Sequence, residues 1–189
     1  MRQGKCVLIS TLCLASLAMV IGCPAGGGIV LPPVPVDIPL GESLGQFSVT
    51  AGEPAQQAGT TSFDTGGISV AAATLELDPS TISIAPAESA KTRLAQTGSN
   101  TAVVTVRIAS ADAVSTVCEA GEQYGPYTVT FDDNFVVQSI SPSTVTLSQN
   151  TIDLLNAGSF SLCIQVEMSI DGTITIEELR LNISARIGG

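Results

Sequence analysis

From Leu44 onward, apolar residues recur at every second position, and this period decides what the chain can fold into. Ala102, Val104, Val106 and Ile108 alternate with Thr101, Thr105 and Arg107. Leu162, Ile164, Val166, Met168 and Ile170 alternate with Ser161, Cys163, Gln165, Glu167 and Ser169. A period of two sends successive side chains to opposite faces of a strand. The same pattern predicts strands over 46–50, 68–77, 81–85, 127–131, 135–140, 144–148 and 174–187. Gly, Pro, Ser and Asn separate them, and no segment has a convincing helical period, although 151–156 suits a single turn. The expectation is an all-β, antiparallel, Ig-like β-sandwich forming one domain over 43–189. With no Trp, no His and 4% aromatic residues, its core has to come from Val, Ile, Leu and Ala.

Parity predicts pairing as well as faces. Inward residues before Asp171-Gly172 are even-numbered, and so are Ile174 and Ile176. A three-residue turn over 171–173 would set Ile170 opposite Ile174 and Met168 opposite Ile176. After Glu177-Glu178 the apolar residues become odd, at Leu179, Leu181 and Ile183, which predicts a β-bulge. Val166, Ile164 and Leu162 would then face Leu179, Leu181 and Ile183. In this register Cys163 points outward and Glu167 lies directly opposite Glu177. A weak internal repeat also appears: 79–84 resembles 142–147, and each is followed by a long alternating strand.

The N-terminus has a different character. Arg2 and Lys5 precede an apolar stretch over 7–21, shorter than the roughly 20 residues that span a bilayer and suited to a secretory leader. It ends Val20-Ile21-Gly22-Cys23. This motif resembles the lipobox of bacterial lipoprotein signal peptides. The resemblance implies that residues 1–22 are removed and that Cys23 receives diacylglycerol. It further implies a partner in the membrane, through the lipid, and a place in the bacterial cell envelope. Pro24 stands where Asp would favour inner-membrane retention, which points to the outer membrane. An ordinary cut after Gly22 and an uncleaved anchor are the alternatives. Two acyl chains on one residue suffice for stable attachment. Residues 23–42 then form a Pro- and Gly-rich tether, reaching roughly 50 Å if polyproline-like. Its apolar residues predict that part of it lies along the domain edge.

With Cys6 and Cys13 in the leader and Cys23 lipidated, Cys118 and Cys163 remain. An oxidising envelope would pair them; two free thiols or a metal site are the alternatives. All 17 acidic residues follow Cys23, where Lys91, Arg93, Arg107, Arg180 and Arg186 are the cations. That surface repels nucleic acid.

Chemistry finds few candidates. The absence of His removes Ser-His-Asp and Cys-His sites, so no catalytic residue is assigned. Glu167, Ser169, Asp171, Gly172, Ile174, Thr175 and Glu178 approach the spacing of a calcium-binding EF-hand loop, but their flanks alternate as strands. Glu167 opposite Glu177 brings like charges together. An Arg nearby, splaying into water, or a calcium ion held by Glu167, Asp171 and Glu177 would relieve this. Asp132-Asp133-Asn134 reads as an acidic turn. The leading expectation is a lipid-anchored, non-catalytic envelope protein with a structural or protein-binding role. Alternatives are a ligand-binding module for a polysaccharide or small solute, assisted by calcium, and a carboxylate hydrolase. A flat apolar patch or an open sheet edge would favour the first, a bound ion at Glu167 and Glu177 the second, and a concave groove with converging acids the third.

Overall fold

The computed structural model describes residues 29–64, 68–93 and 100–187. In chain order its strands are β1 (Ile29–Val30), β2 (Val34–Pro39), β3 (Gln46–Val49), β4 (Ala55–Ser62), β5 (Ser69–Glu76), β6 (Ile82–Pro86), β7 (Asn100–Ser110), β8 (Glu122–Phe131), β9 (Val137–Ser141), β10 (Thr144–Thr146), β11 (Ser159–Met168), β12 (Gly172–Ile176) and β13 (Glu178–Ile187). Short helices α1 (Gly41–Gly45), α2 (Glu88–Arg93), α3 (Val117–Ala120) and α4 (Gln149–Ala157) join or flank them. One sheet runs β4-β11-β7-β8-β9; a second runs β1-β13-β5-β10, with β2 also on β13; a third runs β3-β12-β6. All pairings between them are antiparallel.

The alternating residues build the core as expected. Val104, Val106, Leu162, Ile164, Val166 and Met168 from the first sheet meet Leu75, Leu179 and Leu181 from the second and Phe47, Ile174 and Ile176 from the third. This is an all-β sandwich in a single domain. Burying one aliphatic side chain contributes about 2 kcal/mol, so the interdigitated Val, Ile and Leu carry the fold without Trp.

The strand pairing around residue 171 differs from the expected hairpin. β11 is flanked by β4 and β7, not by β12 or β13. The chain crosses between sheets at Asp171, because both edges of β11 are already taken. β12 then pairs with β3 and β6, and β13 pairs with β2 and β5. The parity change at Glu177 is real, but its cause is a second change of sheet rather than a bulge. Glu177 itself bridges the two, donating its N–H to Thr81 O at 2.9 Å and accepting from Leu40 N at 3.0 Å.

Part of the tether lies along the domain edge, as its apolar residues predict. From Ile29 the chain already runs along β13, with Ile29 opposite Ile187 and Ile38 opposite Leu179. The domain therefore includes residues assigned to the 23–42 spacer, and Ile38 and Leu40 are buried in its core. Pro35 and Pro39 fit here because an edge strand has a side that needs no N–H donor. The two repeat phrases occupy unlike places: Ile82–Pro86 pairs with β12, whereas Thr144–Thr146 pairs with β5.

α4 is a full helix where a single turn was expected. Ser148 caps it, accepting from Thr151 N at 3.3 Å, and Gly158 ends it in the left-handed region at φ 83°. Ser148 Oγ donates to Glu122 Oε2 at 2.6 Å, and the Tyr124 hydroxyl donates to Thr151 Oγ1 at 2.6 Å. At the far end, Asn156 Oδ1 accepts from Val70 N at 2.7 Å and its Nδ2 donates to Val70 O at 3.1 Å. The side-chain amide thus stands in for a strand and closes the edge of β5 beyond β10.

Candidate functional site

An apolar groove of about 470 Å³ lies where the free edges of β6 and β9 approach each other. Pro79, Ile82 and Ile84 form one wall, and Phe135, Val136 and Val137 form the other; Ser80 and Ser83 are the polar lining. No carboxylate is among these residues. Val136 is 55% exposed, one of few large apolar side chains so open to water among the described residues.

Two aspartates hold the walls. Asp132 Oδ1 accepts from Asn134 N at 2.9 Å and Val136 N at 3.0 Å, and Oδ2 accepts from Gln138 Nε2 at 3.0 Å. These bonds fix Phe135 at φ 64°, a left-handed conformation that is an outlier for a bulky residue and costs on the order of 1 kcal/mol or more. Phe135 is turned towards Phe131, ring centroids 6.3 Å apart, while the adjoining Val136 is left open to water. The acidic turn at 132–134 is therefore an organising turn: its first carboxylate is fully engaged by N–H donors.

On the other wall, Asp78 Oδ1 accepts from Ser80 N at 2.9 Å and Ser80 Oγ at 2.7 Å, and Oδ2 pairs with Arg180 Nη1 at 2.8 Å. Arg180 also pairs with Asp37 at 2.8 Å and Glu178 at 3.5 Å. The Ser80 hydroxyl and N–H, with Arg180 behind them, hold the Asp78 carboxyl below its ordinary range. A depressed acid stabilises the fold above the unfolded-state pKa, and this contribution is lost as pH falls through the folded-state value. Ser80→Ala is expected to raise the Asp78 titration midpoint towards that of an ordinary aspartate, read by carboxyl-carbon NMR. An unmoved midpoint would show that the Ser80 hydroxyl does not set it.

The remaining candidates separate. Glu167 sits on β11 opposite Val103, whereas Glu177 lies between β12 and β13, so the expected Glu167–Glu177 opposition does not form. Glu177 instead lines a cleft of about 310 Å³ with Glu42 and Gln46. Asp171 braces a corner, accepting from Ala51 N at 2.8 Å through Oδ1 and from Ala87 N at 2.9 Å through its carbonyl. It borders a cleft of about 430 Å³ with Ser48, Thr50 and Thr173. Among the described residues no three His, Cys, Asp or Glu side chains gather as a metal site. The geometry that suggested calcium at Glu167, Asp171 and Glu177 is thus not present.

Cys118 and Cys163 are joined, with Cα atoms 5.2 Å apart. Cys163 alternates with core-facing Leu162 and Ile164, as predicted, yet it is 1% exposed. The bond lies on this outer face, with Cys163 covered by α3 and Cys118, on α3, half-buried. Cys23 lies outside the described residues. Among those residues, no helix is long and apolar enough to cross a membrane.

Nothing in the residue pattern signals the groove, since Phe135 and Val137 read simply as strand. No protein-family model matches the chain, and no curated protein matches it.

Proposed function

We propose that this chain is a lipid-anchored, non-catalytic protein of the bacterial cell envelope, held at the outer membrane through Cys23, that binds a protein partner. The observation that carries the binding role is the apolar groove between two open strand edges, with Val136 at its rim. Open edges offer unpaired backbone groups and the groove offers apolar contact, the combination by which an extended segment is recognised. A sugar-binding role has less support, since Phe135 is the only aromatic side chain lining the groove.

A photo-crosslinking residue placed at Val136 in the full chain should yield a protein-sized adduct in envelopes, and Ile84→Asp should abolish it. Absence of any adduct would overturn the binding role. Separately, Cys23→Ser should move the protein from the membrane to the soluble fraction; continued retention by membranes would overturn the anchor.

A further inference from the structure

β4 is an unguarded edge. Its eight residues, Ala55 to Ser62, pair with β11 over their whole length without a bulge. Among the described residues no strand pairs with its other side. Exposed edges are normally blunted by charge, proline, bulges or brevity. β2 carries Asp37, Pro35 and Pro39; β10 has three residues and β3 four; β6 and β9 stay open over only five residues each and face each other across the groove. β4, with the sequence Ala-Gln-Gln-Ala-Gly-Thr-Thr-Ser, has none of these devices.

We propose that β4 pairs antiparallel with β4 of a second copy, joining the two five-stranded sheets into one. The absence of any charged side chain on β4 suits this occupant. β4 is the long edge where two acidic molecules meet without opposed carboxylates along the strand. Parity then limits the register. Directly opposed residues share a face, so their numbers must sum to an even value. Of the registers this allows, the two most central set Ala58 opposite Ala58 with Gln56 opposite Thr60, or Gly59 opposite Gly59 with Ala58 opposite Thr60. Gln56, Ala58 and Thr60 are exposed on the outer face, free to form uncharged cross-strand pairs. Each copy carries a net charge of −10, so the two repel one another at low salt. Pairing should therefore strengthen with salt, which screens exposed charges. The contact is isologous and uses up β4, so assembly stops at two copies.

Sedimentation of the full chain in density-matched detergent tests this. The expected result is a concentration-dependent two-copy mass, favoured by added salt. Gln56→Lys with Thr60→Lys sets like charges opposite each other at surface positions and should weaken pairing roughly tenfold or more. Gln56→Cys with Thr60→Cys, or Gln56→Cys with Ser62→Cys for the second register, should cross-link two copies under oxidation, whereas Gln149→Cys on α4 should not. A single-copy mass at every concentration and salt would overturn the proposal. So would a dimer untouched by the paired lysines, or an open series of larger species. Val136→Asp should leave the dimer intact, which keeps this result separate from the partner groove.

Discussion

Removing the Cys118–Cys163 bond, by reduction or by Cys118→Ala with Cys163→Ala, is expected to cost about 4 kcal/mol of stability and roughly 10 °C in Tm. The bond spans 45 positions, and closing a loop of that length restricts the unfolded chain substantially. The folded side contributes as well. α3 has only four residues, too few to persist as an isolated helix. It depends on the bond and on buried Val117 to stay across the sheet. Thermal unfolding with and without reductant, alongside thiol titration, checks this. An unchanged Tm with both thiols free would refute it.

Gly45→Ala should be the most damaging single methyl group in the domain, at about 3 kcal/mol. A Cβ on Gly45 would lie 2.2 Å from Ile176 O. The obstacle is backbone, at the end of β12, where the chain is about to change sheets, so no side chain can swing away. Gly52→Ala is the comparison. Gly52 has φ 76° with nothing within 4 Å of the added atom, so that change meets only left-handed strain of about 1–2 kcal/mol. Urea unfolding of both variants separates steric exclusion from conformational preference. A Gly45→Ala protein within 1 kcal/mol of the parent would contradict the close approach.

Faces were legible in the sequence, but neighbours were not. Alternation placed Val104, Ile164 and Leu181 inward because period two is a local property of one strand. It could not show that β11 lies between β4 and β7, since even parity at Ile170 and Ile174 suits a hairpin and a sheet crossing equally well. β4 escaped notice for a related reason. Its inward positions are Ala55, Gln57, Gly59 and Thr61, so it carries no hydrophobic period. α4 had readable signals in Ser148 and Gly158, which the strand pattern around it outweighed. The groove depends on two edges distant in sequence and on the left-handed turn at Phe135. Only the disulfide partners followed directly from counting cysteines.

The early start of the edge strand bears on how the molecule stands on a bilayer. If Cys23 carries the lipid, as proposed, the leash from it to Ile29 spans at most about 20 Å even when taut. The sandwich then rides low against the headgroups instead of standing clear of them. The rim bearing Val30, Arg186 and Ser69, which are neighbours in the sheet, is the rim that meets the lipid.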